Sequence, residues 1–271
     1  DYFRVHCEDQ TNQRSFEIRA LQVVNAGGPW LDQIRALDKH KEPARLKLSK
    51  GVHIVLSRTD FPLNQACYFD TQDGRMVFAI PRADNCYIGT TDTFFDGDPA
   101  QVSADSTDLN YLLEALRYQF SMSSEKLPPV RSSWAGLRPL LASGGKKPGE
   151  ISRRDELLYS PDGMISVAGG KLTGYRVMAE KVGKQVRARL QAGKHHSATA
   201  HLKLSGWGEE KPEQLVSRLS SGKPVDYQRR VEELVSRYGK AAEKILEYAE
   251  GAFPGIQAEL AYCQDFEMTI Y

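Results

Sequence analysis

The sequence predicts a mixed α/β fold with α+β character, followed by a helical tail. Residues 164–190 have the pattern of a buried strand, a glycine turn and a helix, which is typical of α/β structure. Residues 51–95 contain several short strands separated by Asn, Asp and Gly turns, which predicts an antiparallel sheet. From about residue 211 the chain is charged and has helical periodicity, which predicts a small helical module.

Composition limits the classes of function. The 271 residues, of which 41% are hydrophobic, are enough for one large domain or two of ordinary size. The 36 basic and 35 acidic residues give a formal net charge of +1, so no overall attraction to nucleic acid or to an anionic membrane is expected. Any anion site must therefore be local, and nucleic acid is not a predicted partner.

The cysteines and the chain start bear on compartment. Cys7, Cys67, Cys86 and Cys263 are far apart and form no C-x-x-C pair, so neither a zinc site nor a redox dithiol is predicted. The sequence has no apolar run of membrane-spanning length and no signal-peptide pattern at its start. We expect a cytoplasmic protein with reduced cysteines, with peripheral membrane contact left open. Because Asp1 opens a strand-like segment, we also expect a fragment of a longer chain.

The first two predicted strands, residues 2–7 and 15–24, flank a polar turn and form a hairpin. After the second strand the chain reads Asn25, Ala26, Gly27, Gly28, Pro29 and Trp30. Two glycines and a proline indicate a sharp turn where backbone can approach a ligand closely. The residues alone support a ligand-contacting turn and a plain loop before a helix at 31–37 equally.

The middle of the chain predicts the antiparallel sheet. Its strands cover residues 53–56, 76–81, 87–90 and 130–141. Apolar residues at helical spacing predict one amphipathic helix over 105–120, capped by Ser106 or Thr107.

A glycine turn beyond this sheet carries the most chemical information. Gly169 and Gly170 end an apolar strand and precede a helical pattern that begins after Lys171 and runs to about Leu190. The start of such a helix presents unpaired N–H groups and a partial positive charge, which suit a phosphate, a carboxylate or an electron-rich cofactor ring. With Lys171 beside the glycines, a ligand site is a better interpretation than an ordinary turn.

Three cations at constrained places are candidates for an anion pocket: Arg138, Arg153 and Lys171. Arginine offers a planar fork that matches phosphate or carboxylate, and lysine offers a compact charge. Arg138 lies between Leu137 and Pro139, where a charge needs a partner. Arg153 stands beside Arg154, and a solvated charge pair is at least as well supported for one of these two.

His53 lies in the middle of an apolar strand. A lone histidine there is more often a core residue than a catalyst, but it becomes a candidate general base if it faces a pocket. Residues 88–93, IGTTDT, predict mainly a turn that orders the sheet, and a direct substrate role for Asp92 or its threonines is the minority interpretation. The tandem His195 and His196 are interpreted as solvated, because adjacent residues rarely both bind a metal.

Six motifs occur in the order found in flavin-dependent glycerol-3-phosphate dehydrogenases, the enzymes that pass electrons to quinone. They are VVNAGGPW, KGVHIVL, FAIPR followed by IGTTDT, SSWAGLRPLL, ISRRDE and GGKLTGYRVMAE. The chain resembles this family over roughly residues 15–190, and its tail resembles the family's C-terminal domain. Six ordered motifs are far more specific than any one of them.

The resemblance implies a D-amino-acid-oxidase-like fold, in which a Rossmann-like FAD domain is interleaved with an antiparallel-sheet substrate domain. It assigns residues 1–47 and 151–195 to the C-terminal part of the FAD domain. It assigns 48–150 to the substrate domain and 205–271 to a truncated C-terminal helical domain.

The resemblance also implies the cofactor contacts. Asn25 to Trp30 would lie against FAD, and Gly169, Gly170, Lys171, Leu172 and Thr173 would bring a helix start to the pyrimidine edge of the flavin. Helix polarity at that edge would stabilise the negative charge of reduced flavin.

The catalytic residues implied by the resemblance are His53, Arg138 and Lys171. Arg138 and Lys171 would bind sn-glycerol 3-phosphate near the flavin ring, and Arg153 is a further candidate for its phosphate. His53 would accept the proton of the C2 hydroxyl while hydride moves from C2 to flavin N5, which yields dihydroxyacetone phosphate.

One departure from the family pattern is informative. No G-x-G-x-x-G follows any strand, so the fingerprint that holds the FAD pyrophosphate is missing. We therefore expect this chain alone to bind FAD poorly and to be inactive.

Quinone is the expected electron acceptor of the whole enzyme. Two alternatives stay open: a glycerol-3-phosphate oxidase that uses O2, and a non-catalytic module that binds a ligand or partner. The residues favour no particular oligomeric state.

Overall fold

A computed structural model describes residues 2–38, 40, 43–123, 126–142, 155–193, 196–203 and 210–252, with side chains as far as residue 249. The chain divides into two compact units, residues 1–195 and 196–271. The domain boundaries implied by the resemblance remain a prediction.

The first unit combines strands with three helices in the described part of the chain. Its elements are β1 (Phe3–Asp9), β2 (Arg14–Ala20), β3 (Val24–Asn25), α1 (Leu31–Arg35), β4 (Leu46–Ser57), β5 (Cys67–Asp70), β6 (Met76–Arg82), β7 (Asn85–Gly89), β8 (Thr93–Phe94), α2 (Ser106–Gln119), β9 (Val130–Leu141), β10 (Asp155–Tyr159), β11 (Ile165–Gly169) and α3 (Tyr175–Arg189). Short 3-10 turns cover Gly28–Trp30, Pro99–Gln101 and Leu172–Gly174. The predicted hairpin is confirmed, because β1 pairs antiparallel with β2.

The predicted antiparallel sheet is also confirmed. Its strands run in the order β5-β6-β7-β4, β8 continues along the β7 edge of β4, and β9 pairs along the other edge. Side chains of alternate residues point to opposite faces, so Val52, Ile54 and Leu56 face one way and pack with Leu112 and Leu116 of α2. All five are fully buried, and each contributes roughly 1.5–3 kcal/mol by leaving water. The opposite face of the sheet carries His53.

The cap predicted for α2 is wrong by one or two residues. Asp105, which has extended backbone, caps the helix by accepting from the N–H groups of Thr107 and Asp108, and Asp108 completes a capping box. Ser106 is already helical, and a carboxylate satisfies two orphan donors at once. Lys50 of β4 donates to both Asp105 and Asp108, at 2.8 and 2.6 Å, and so ties the start of α2 to the sheet.

A separate three-stranded sheet has the order β10-β11-β3. Strand β11 is antiparallel to β10 and parallel to β3. Leu31 of α1 packs on this sheet against Leu158 and Ala168. Because the carboxyl ends of parallel neighbours meet at one edge of a sheet, the turns that follow β3 and β11 leave the sheet at the same edge.

The second unit contains the helices α4 (Pro212–Leu219), α5 (Val225–Tyr238) and α6 (Ala241–Ala252). They lie in the segment, from about residue 211 onward, where helical periodicity predicted a helical module. The core of the unit consists of Leu215, Val231, Leu234, Val235, Ala242 and Leu246. None of the helices in the described ranges combines the length and the apolar character needed to cross a membrane.

Cysteine and metal chemistry can be checked only in the described residues. Cys7, Cys67 and Cys86 are free, and Cys263 lies outside the described residues. Within the described ranges, no group of three or more His, Cys, Asp or Glu side chains is placed to hold a metal ion.

Candidate active site

The face of the six-stranded sheet opposite α2 carries a row of aromatic side chains. The strand register places Tyr68, Phe78, Gly89, His53 and Trp134 side by side across five strands. Cross-strand partners share a face of the sheet, so all five lie on the same side. The rings of Tyr68 and Phe78 stack at 4.1 Å between centroids, and those of His53 and Trp134 stack at 4.9 Å with an interplanar angle of 6°. Gly89 is the gap in this row.

His53 occupies that gap. Its ring lies over Gly89, where a Cβ atom would overlap the imidazole. The Nδ1 atom is buried and has no hydrogen-bond partner among the described residues. Burial first, and then the positive charge of Arg138, lower the pKa of His53 below its ordinary value. The imidazole is therefore neutral at pH 7 and able to accept a proton.

A hollow lies beside His53, over Gly136, and the Arg138 side chain borders it over Gly51. The next cross-strand pair on this face is Gly51 with Gly136. The guanidinium of Arg138 extends over Gly51, since a Cβ there would lie 2.6 Å from both terminal nitrogens. A Cβ at Gly136 would meet nothing within 4 Å. The face thus brings together a proton acceptor, an anion-binding group and open space.

The guanidinium of Arg138 is held by the IGTTDT segment. It donates to the carbonyl of Thr91 at 3.3 Å, to Oδ1 of Asp92 at 3.3 Å and to Oγ1 of Thr90 at 3.0 Å. Oδ1 of Asp92 also accepts from the hydroxyl of Ser49. Asp92 is thus a charged partner of the kind that the apolar flanks of Arg138 required, and the sequence did not link the two residues.

The turn after β3 is fixed by Asn25, whose side chain is 3% exposed. Its Nδ2 donates to the carbonyl of Leu31 at 3.0 Å and to Oγ of Ser166 at 3.2 Å, and its Oδ1 accepts from the N–H of Gly27 at 3.0 Å. These bonds tie the turn to both α1 and β11. Asn25 therefore shapes the backbone of Ala26 to Trp30.

Glycine is required at several points of the two neighbouring turns. A Cβ at Gly27 would overlap Ile34, and Gly28 has a φ of +54°. In the second turn Gly169 has a φ of +71°. Gly170 has a φ of +86°, and a Cβ there would lie 2.6 Å from Sδ of Met178. Side chains other than hydrogen are strained at such φ values, so both turns present bare backbone.

The helix after Lys171 begins later than predicted. Residues Leu172–Gly174 form a 3-10 turn, and α3 begins at Tyr175. No side chain in the described part of the chain caps either the turn or α3. The N–H groups of Gly174 and Tyr175 donate to the carbonyls of Lys171 and Leu172, so the N–H groups that face an electron-rich ligand are those at the start of the 3-10 turn.

The structure joins two of the three predicted catalytic residues. Arg138 and His53 share one sheet face, while Lys171 is exposed at the edge of the other sheet. Within the described residues, no hydrogen bond links Lys171 to His53 or Arg138. Strand β9 contacts both β11 and the turn Gly28–Trp30, so the two regions adjoin. Arg153 lies outside the described residues.

Residues 3–176 match the family model described as FAD dependent oxidoreductase. The chain therefore belongs to the FAD-dependent oxidoreductases. Its relatives within that family are aerobic glycerol-3-phosphate dehydrogenases: the protein of Staphylococcus saprophyticus is 39% identical over 284 residues, which cover 98% of this chain and 51% of the relative. The protein of Staphylococcus aureus is 45% identical over 188 residues, which cover 69% of this chain and 34% of the relative.

A solved structure supports the same relationship. The glycerol-3-phosphate dehydrogenase from Bacillus halodurans, complexed with FAD, superposes with a TM-score of 0.79 at 38% identity, covering 93% of this chain and 50% of that one. The resemblance carried by the six motifs is confirmed, and so is the mixed α/β fold of this flavoprotein family. The chain spans about half the length of the Staphylococcus saprophyticus and Bacillus halodurans proteins.

Proposed function

We propose that this chain carries the substrate side of a flavoenzyme that oxidises sn-glycerol 3-phosphate to dihydroxyacetone phosphate. The observation that carries the proposal is that one sheet face holds a neutral His53, the Arg138 guanidinium over Gly51 and open space over Gly136. A polyol phosphate needs a base for its hydroxyl and a cation for its phosphate, and this face offers both.

The two turns at the edge of the three-stranded sheet fit FAD. Positive-φ glycines leave the backbone bare, and the uncapped start of the 3-10 turn suits the electron-rich edge of a flavin. We assign Asn25 to Trp30 and Gly169 to Thr173 as its contacts. When bound, FAD accepts the hydride released from C2 of the substrate.

The protein groups have separate tasks in the reaction. His53 accepts the proton of the C2 hydroxyl at its imidazole, which strengthens hydride donation from the same carbon. Arg138 orients the anionic substrate, Lys171 would bind it near the flavin ring, and Arg153 is a further candidate for its phosphate. The stacked Trp134 fixes the plane of the imidazole and helps keep water from it.

The proposed domain assignment is the one that the resemblance implies. Residues 48–150 form the substrate-binding part, residues 1–47 and 151–195 form part of the FAD-binding domain, and residues 205–271 belong to a C-terminal helical domain. The 271 residues contain no G-x-G-x-x-G, so turnover is to be assayed in holoenzyme that also contains this fingerprint.

The proposed activity is tested by adding glycerol 3-phosphate to the FAD-loaded holoenzyme without oxygen. We expect loss of the oxidised flavin absorbance and formation of one dihydroxyacetone phosphate per flavin. Flavin that stays oxidised at millimolar substrate would contradict the proposal. Reoxidation then separates acceptors: rapid reduction of a quinone analogue supports the dehydrogenase, and stoichiometric hydrogen peroxide in air supports the oxidase.

A further inference from the structure

Asp92 has no role in the reaction proposed above, but its contacts connect it to Arg138. Asp92 follows β7 and lies beside β4, with a side chain that is 15% exposed. Its Oδ1 accepts from the guanidinium of Arg138 at 3.3 Å and from the hydroxyl of Ser49. Ser49 is fully buried and is the direct cross-strand partner of Arg138. One carboxylate oxygen thus joins the two strands that carry the hollow.

Asp92 is itself anchored from the other side. The guanidinium of Arg75 approaches the backbone carbonyl of Asp92 at 3.5 Å. Arg75 is fixed by its ion pair with Asp73 at 2.6 Å and by the ring of Tyr111, 4.0 Å from the guanidinium carbon. Tyr111 belongs to α2, so the position of Asp92 is tied to the helix that packs beneath the sheet.

The neighbouring threonines complete the cradle. Oγ1 of Thr91 accepts from the N–H of Val52 at 2.9 Å, which holds the segment against β4. The carbonyl of Thr91 and the hydroxyl of Thr90 accept from Arg138. Of these acceptors only Asp92 carries a full charge, and charge-assisted bonds are the strongest of such contacts.

We propose that Asp92 is the positioning residue of Arg138: it holds the guanidinium over Gly51, facing the hollow beside His53. This inference rests on the proposed function, because it gives Asp92 a task only if Arg138 binds the anionic substrate. A long arginine side chain without this carboxylate gains rotamer freedom, and the phosphate then meets a cation that is no longer pre-organised.

The first test uses the 271-residue chain without cofactor. In Asp92→Asn the shape is kept and the charge is lost, so we expect the guanidinium NMR signals of Arg138, assigned by their absence in Arg138→Gln, to broaden or collapse toward those of a free arginine. Glu114→Gln is the matched control, since Glu114 pairs with Arg117 on the exposed side of α2 at 2.6 Å. Unchanged Arg138 signals in a folded Asp92→Asn protein would overturn the proposal.

The second test is a double-mutant cycle in the holoenzyme. Asp92→Asn should raise the KM for glycerol 3-phosphate by roughly 10- to 100-fold and change kcat much less. In an Arg138→Gln background the same substitution should have almost no further effect, because Asp92 acts through Arg138. Equal losses in both backgrounds, or an unchanged KM, would overturn the positioning role. Failure of the wild-type holoenzyme to oxidise glycerol 3-phosphate would instead contradict the proposed function, which the NMR test does not require.

Discussion

The face of the six-stranded sheet and the edge of the three-stranded sheet are built in opposite ways. On the face, side chains act: His53 stacks on Trp134, and Arg138 is held by hydrogen bonds within the same unit. At the edge, backbone acts: the turns at residues 25–30 and 169–174 present positive-φ glycines and uncapped N–H groups. Because the proposed function assigns catalysis to side chains and cofactor binding to backbone, we expect substitutions in the two regions to affect different quantities.

The largest effect is expected from His53→Gln. Glutamine fills much of the same space but cannot accept the proton, so the rate of flavin reduction by glycerol 3-phosphate should fall by about 10²- to 10⁴-fold. Stopped-flow absorbance of the holoenzyme measures this rate. His6→Gln, at an exposed position of the hairpin, is the control and should leave it unchanged. A decrease of less than threefold in the rate of flavin reduction would contradict the proposal that His53 is the base.

The next effect concerns the paired glycines of the hollow. In Gly51→Ala the new methyl group would lie 2.6 Å from the guanidinium nitrogens, so Arg138 is displaced and the KM for glycerol 3-phosphate rises roughly 10- to 100-fold. Gly136→Ala places the same methyl group where nothing lies within 4 Å, so the fold tolerates it and only the hollow narrows. Steady-state kinetics should therefore rank Gly51→Ala well above Gly136→Ala. The reverse order would place the substrate elsewhere.

A smaller, opposite pair of effects tests the sheet edge. Gly170→Ala forces alanine to a φ of +86° beside Met178, which should destabilise the folded chain by about 1–2 kcal/mol and weaken FAD binding. Gly183→Ala lies within α3 with free space around it and should stabilise by about 0.5–1 kcal/mol. Urea unfolding of the chain reports the change in stability, and FAD titration of the longer protein that contains the fingerprint reports the change in affinity. Equal FAD affinity in the two variants would argue against a cofactor contact at this turn.

The smallest effect is a dependence of stability on acid. Asp105 accepts hydrogen bonds from the Lys50 ammonium and from the N–H of Asp108, and these bonds lower the pKa of Asp105 to about 2. A folded pKa below the unfolded one adds stability above the unfolded value, which is about 3.9, and loses it as pH falls toward about 2. In Asp105→Asn the midpoint of urea unfolding should depend less on pH across that range. In the control Asp96→Asn the midpoint should depend on pH as it does in the wild type. A wild-type midpoint that does not fall below pH 4 would contradict the ion pair.

Local sequence patterns predicted most of the fold. Short strand patterns between turn residues predicted the strand that carries Ile54 and Leu56, and glycines marked the turns at residues 25–30 and 169–174. The helix ends were less well predicted: Asp105 proved a better cap than Ser106 because a carboxylate accepts two N–H groups, and a 3-10 turn delays α3 to Tyr175. Such choices depend on competing local hydrogen bonds that periodicity does not encode.

The candidate site was only half predictable. His53 and Arg138 came from motifs, but the pairing of Gly51 with Gly136 and the bond from Arg138 to Asp92 join segments far apart in the chain. Strand register decides those contacts, and no local pattern specifies register across so many residues. The stacking of Trp134 on His53 was missed for the same reason.

We propose that His53 is a neutral base whose charge state depends on Arg138. Titration of the His53 imidazole by NMR tests it directly in the 271-residue chain, with wild type compared with Arg138→Gln. In the wild type we expect the pKa of His53 to lie below that of a free histidine. In Arg138→Gln, where the neighbouring charge is removed, we expect a higher pKa of His53. A His53 that titrates at or above the ordinary value, or that is indifferent to Arg138→Gln, would contradict it.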